Sequence, residues 1–151
     1  MRVDFHFGAQ NRFRDSCFIL QKHFFAGKQF LVYLSDPRAL AHFDRLLWGF
    51  QPTAFVPHAM ADAPQAAQAP IILCHQPAQL ETAQQWLNQP WVFNLDNEIV
   101  PIQPQSQRIL EVVSTEEQCR QHARQRWRHY QTQGYDLQAQ ELRSRSAVQT
   151  K

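Results

Sequence analysis

The sequence predicts an α/β fold of three layers, with a mostly parallel central sheet flanked by helices. Two observations carry this. Strand-like and helix-like segments alternate from the start in the order βαβα, which calls for parallel strands joined by right-handed crossovers. The runs QFLVYL (Gln29–Leu34) and IILC (Ile71–Cys74) are almost wholly apolar, as strands covered on both faces must be.

The elements follow in order. VDFHF (Val3–Phe7) alternates, with Val3, Phe5 and Phe7 on one face, and reads as a first strand at a sheet edge or half covered. Arg12–Ala26 reads as a helix. Its stripe is Phe13, Cys17, Leu20 and Phe24, widened by Phe18 and Phe25, and Gly27 ends it. Gln29–Leu34 is then a central strand. Asp36 and Pro37 suit the N-cap and first turn of a second helix, which buries Leu40, Phe43, Leu46 and Leu47. Residues 59–70, rich in Ala, Gln and Pro, read as a mobile connection. Ile71–Cys74 is a short strand, Leu80–Leu87 a short helix and Trp91–Leu95 another strand. Ile99–Gln107 is a Pro/Gln-rich loop, and ILEVV (Ile109–Val113) is the last central strand. Ser114 and Glu117 have the spacing of a capping box for a helix that Gly134 closes. Tyr135–Leu137 is expected to pack back on the body, and the last ten or so residues to fray.

Size and charge narrow the function. The chain has 151 residues, 44% of them apolar, enough for one domain with its own core. That domain is expected at 1–140, with a polar tail at 141–151. The formal net charge is only +2, so bulk charge does not make it a polyanion binder. The basic residues are unevenly placed, though. Between Arg120 and Lys151 there are seven Lys or Arg and only two acids, Asp136 and Glu141. Cys17, Cys74 and Cys119 are odd in number and widely spaced, so no disulfide framework appears and buried thiols in a reducing cytoplasm are expected. The N-terminus carries Asp4 and no apolar run of signal length, and no stretch has the length of a membrane span.

Active-site chemistry finds little support. There is no GxGxxG and no Walker-type phosphate loop among the four glycines. The seven histidines are scattered. Cys74 and His75 are neighbours on a strand and point opposite ways, while Cys119 and His122 supply only two metal ligands. No nucleophile has a local base. Glu116 and Glu117 are accounted for by the positive end of a helix. No cofactor, metal or catalytic residue is expected.

Two surfaces remain. Arg120, Arg124 and Arg128 recur at i, i+4 and i+8, a column about 12 Å long on one side of a helix, with Trp127 and Tyr130 beside it. Like charges so placed repel, which makes an anionic partner attractive. Arginine forks match a carboxylate bidentately, and Trp127 would suit an apolar side chain. A solvated helix face and a short single-stranded nucleic-acid site fit the same residues. The second surface is LLWGFQPTAFVPH (Leu46–His58), where Trp48, Phe50, Phe55 and Val56 crowd around Pro52 and Pro57. It fits a core segment and also a protein interface.

The segment FDRLLWGFQPTAFVPHAM (Phe43–Met60) resembles the chi-subunit family of bacterial DNA polymerase III, as does RQRWRHYQTQGYDL (Arg124–Leu137). The first strand, the first helix and ILEVVSTEE fit in order, so the likeness spans most of the chain, with 61–107 the least distinctive. The resemblance implies an α/β fold similar to nucleotide-binding domains but without their phosphate loop. It implies a non-catalytic replication accessory protein. This protein would pair with the psi subunit of the clamp loader and bind the acidic C-terminal tail of single-stranded DNA-binding protein, which ends in phenylalanine. The tail-binding positions would fall on Val113, Arg120, Arg124, Trp127 and Arg128, with Arg124 the main clamp. Trp127 stands where the family can have tyrosine, and Arg120 and Arg128 where it can have lysine. The psi-facing positions would include Trp48 and Phe55. Departures lie at 96–107 and in the polar C-terminus.

Overall fold

Alternation along the strands builds two cores from one sheet. In the strand Phe30–Tyr33 (β2), Phe30 and Val32 pack on one face, and Leu31 and Tyr33 on the other; all four are buried. The structure, a computed structural model, describes residues 1–53, 55–102 and 104–142. The other strands are β1 (Arg2–Ala9), β3 (Ala59–Met60), β4 (Ile71–Cys74), β5 (Trp91–Asn94), β6 (Arg108–Ser114) and β7 (Asp136–Glu141). The helices are α1 (Arg12–Phe25), α2 (Pro37–Gly49), α3 (Pro77–Trp86) and α4 (Glu117–Thr132). The seven strands lie in the order β3-β4-β2-β5-β6-β1-β7, and every pairing is parallel. Residues of α1 and α2 fill one core with Phe30, Val32, Leu73, Phe93 and Leu110. Residues of α3 and α4 fill the other with Val3, Phe5, Ile72, Val92 and Ile109. The three-layer α/β expectation therefore holds.

Local signals explain most element ends. Asp36 accepts the Arg38 N–H with its side chain and Pro37 opens α2, a cap worth about 1 kcal/mol. Gly134 follows α4 with φ +76°, a conformation that L side chains resist.

Several expectations change. β1 is not an edge: β6 flanks it on one side and β7 on the other. The polar segment from Asp136 is a strand, registered Val3↔Leu137 and Phe5↔Ala139. The connection 59–70 contains β3, paired Ala59↔Ile72, and a 3₁₀ turn at Ala66–Gln68. Phe25 does not widen the α1 stripe; it ends the helix 68% exposed. Ser114 closes β6 rather than capping α4. The N-cap is Glu116, without a side-chain cap, and Ser114 Oγ accepts the Glu116 N–H at 3.4 Å. The expected boundary at 140 falls inside the sheet: Glu141 ends β7 and the Leu142 N–H donates to the Phe7 carbonyl at 2.8 Å, while residues 143–151 of the expected tail lie outside the described residues.

Candidate functional site

Helix periodicity sends different residues of α4 in different directions. Ala123, Arg126 and Tyr130 are buried against the sheet, Trp127 is half-buried, and Arg120, Arg124 and Arg128 are exposed. Between this helix and the β1–β6–β7 end of the sheet lies a cavity of about 470 Å³. Phe5, Phe7, Ala123, Trp127 and Ala139 give it an apolar floor. Val113, Ser114 and Thr115 also line it, and Arg120, Arg124 and Arg128 line it with charge. The Phe5 ring meets Trp127 at 5.1 Å between centroids, tilted by 57°, and Tyr130 edge-on at 6.1 Å. Phe7 is 40% exposed, so part of the floor is open to solvent. Val113, Arg120, Arg124, Trp127 and Arg128 are thus brought into one cavity from two elements.

What holds α4 in place was not legible beforehand. Glu111 on β6 and Arg126 on α4 are both buried, with Arg126 Nε donating to Glu111 Oε1 at 3.0 Å. Glu111 Oε2 accepts from the Tyr130 hydroxyl at 2.8 Å and from Asn94 Nδ2 at 2.9 Å. Arg126 Nη1 donates to the Asn97 carbonyl at 3.0 Å. Burial and then the Glu111 carboxylate raise the pKa of Tyr130, keeping it a proton donor. The available signal was a lone acid inside the run ILEVV, on a strand expected to be covered on both faces.

The second surface is a cluster of tilted rings at the β3 edge of the sheet. Trp48 closes on His58 at 4.0 Å between centroids and lies 5.6 Å from Phe55. His58 is buried, with Nδ1 2.7 Å from the Val56 carbonyl and Nε2 3.1 Å from Asp44 Oδ1. Trp48 and Phe55 remain 44% and 65% exposed, whereas Phe50 and Val56 are core. The segment is therefore both things the sequence allowed: core at Phe50 and Val56, exposed aromatic surface at Trp48 and Phe55.

Other groups look inert. Burial pushes the Cys17 and Cys74 thiols up to about 12, far from thiolate reactivity. Cys119 and His122 share the wall of a small cleft, where Cys119 Sγ accepts the Ser114 N–H at 3.4 Å. No group of three or more His, Cys, Asp or Glu is arranged to hold a metal among the described residues. No helix among them is long and apolar enough to cross a membrane.

Fold and cleft together define a class: an α/β domain presenting an arginine-lined, aromatic-floored groove suited to an acidic ligand with an apolar end. The chain belongs to the family described as DNA polymerase III chi subunit, HolC, whose model matches residues 1–138. It is also 29% identical over 145 residues to the DNA polymerase III subunit chi of Pseudomonas aeruginosa, covering 93% of this chain and 96% of that one. Membership makes it an accessory protein of DNA replication, associated with the polymerase III assembly.

Proposed function

We propose that this protein bridges the polymerase III clamp loader to protein-coated single-stranded template. It does so in the cytoplasm and without catalysis of its own, as one domain that runs through the last strand, β7, ending at Glu141. One side binds the psi subunit through Trp48 and Phe55. The other binds the acidic C-terminal tail of single-stranded DNA-binding protein through Val113, Arg120, Arg124, Trp127 and Arg128. The observation that carries the reading is the convergence of those five residues on one 470 Å³ cavity with charge along one wall and aromatic rings beneath. A terminal carboxylate fits an arginine fork, and a terminal phenylalanine ring fits against Phe5, Phe7 and Trp127. Arg124, at the middle of the column, is the main clamp. Many tails on one coated strand raise the effective concentration, so a modest single-site affinity suffices.

The test is a titration of a labelled acidic peptide ending in phenylalanine. Arg124→Ala should weaken binding at least tenfold, as removal of a charge-assisted hydrogen bond does, while the melting temperature holds. Unchanged affinity would remove the assignment. A single-stranded oligonucleotide forms the second arm. Binding as tight as the peptide's would favour the rival reading, a direct nucleic-acid module.

A further inference from the structure

Glu117 is left without a role by that reading. It does not serve as a capping-box partner, since Ser114 ends β6 and the helix N-cap is Glu116. Its carboxylate turns instead toward the arginine column. Oε2 lies 3.5 Å from Arg120 Nη1 and Oε1 lies 3.4 Å from Arg124 Nη1. Among the described residues no other carboxylate comes within ion-pair distance of either arginine, and Arg128 has none. Glu117 stands just outside the cavity lining, at the first residue of α4, and is itself well exposed.

We propose that Glu117 is a placeholder carboxylate, displaced from Arg120 and Arg124 by the incoming acidic ligand, and that it thereby sets the affinity of the cleft. This rests on the tail-binding reading above. In the free protein one shared carboxylate offsets the repulsion of the stacked guanidiniums, and the helix N-terminus favours its charge. Both contacts are longer than the 2.7–2.9 Å typical of a charge-assisted hydrogen bond. They are also solvent-exposed, so each is weak and exchangeable. A ligand carboxylate can take the same forks with shorter, bidentate geometry. It does so against the negative charge of Glu117, which the bound state leaves beside it.

The experiment compares the intact protein with Glu117→Gln and Glu117→Asp. Each is titrated with an acidic peptide ending in phenylalanine with a free carboxylate, and with the same peptide amidated. Glu117→Gln should bind the free-acid peptide roughly fivefold tighter at low salt, the scale of one or two exposed ion pairs. The gain should shrink for the amidated peptide. Glu117→Asp keeps the charge but shortens the reach, and should fall between. Equal or weaker binding by Glu117→Gln, with an unchanged melting temperature, overturns the placeholder. So does an equal gain for both peptides, which would be a bulk charge effect. If the unmodified protein binds neither peptide, the tail-binding reading itself fails and the placeholder with it.

Discussion

Replacing Glu111 by alanine should unseat the helix that carries the arginine column. The carboxylate accepts three hydrogen bonds, from Arg126, Tyr130 and Asn94, all at 2.8–3.0 Å and all buried. Its loss leaves the Arg126 guanidinium, only 2% exposed, without a counterion. Breaking a buried ion pair from one side costs about 3–5 kcal/mol. The stranded Tyr130 and Asn94 donors overlap with that figure, because a vacated site next to them admits water or allows collapse. An overall loss of about 4 kcal/mol is a large share of the roughly 5–15 kcal/mol that holds such a domain together. At about 2–4 °C per kcal/mol for this size, the melting temperature should fall by roughly 8–16 °C. Urea denaturation gives the free energy directly. The double variant Glu111→Leu with Arg126→Met supplies the control, since an apolar pair of similar volume removes the stranded charge. It should be distinctly more stable than Glu111→Ala. The reasoning fails if Glu111→Ala costs less than about 1 kcal/mol, or if the double variant is no better than the single one.

Two further outcomes are expected. Burial, aided by Lys22, His6 and Arg108 and opposed by Asp4, lowers His23 to about 4, so between that pH and the unfolded value near 6.5 the unfolded chain binds the extra proton. Stability should therefore be full above pH 6.5 and decline as the pH falls toward 4. His23→Gln should flatten that slope in denaturation curves at pH 7 and 5, and an unaltered slope would contradict the assignment. At the other surface, Trp48→Ala and Phe55→Ala should both reduce capture of a psi subunit. Phe55→Ala, at a 65% exposed ring, should leave the melting temperature nearly intact, whereas Trp48→Ala also loses its tilted ring contact with His58. Collapse of the fold in Phe55→Ala would mean that the ring serves only the core.

The sheet was readable where strands are buried on both faces, because Phe30–Tyr33 and Ile71–Cys74 have no polar residue to disguise them. β7 escaped because the edge it forms is polar: DLQAQE offers only two apolar residues, Leu137 and the small Ala139, and is fixed by pairing with β1. β3 is too short to leave a pattern. The site helix was readable for the same reason that its anchor was not. Positions 120, 124 and 128 share a side, but Arg126 sits about 200° around the helix from Arg124. It joins Ala123 and Tyr130 on the buried face. Counted by composition it was one more basic residue; placed by periodicity it occupies a core position. Its partner Glu111 is 15 residues away on another element, so only the fold brings the two together. The capping box misled because Ser114 has a competing use, as the last residue of β6 paired with Ala9.

The positions of the two surfaces bear on how a bridge would work. The Trp48–His58 ring pair adjoins β3, one edge of the sheet, while Ala139 of the cleft belongs to β7, the other edge. Six strand spacings separate those edges, roughly 29 Å at about 4.8 Å each. The two sets of residues share no member, and no partner on one edge need reach the other. Between them lies a parallel sheet packed on both faces, whose interior residues are buried. Communication between the sites would need an element with two arrangements, and a close-packed sheet is poorly suited to that. The proposed bridge therefore works by tethering: each contact raises the local concentration of the other partner's cargo, and neither needs to alter the other's affinity.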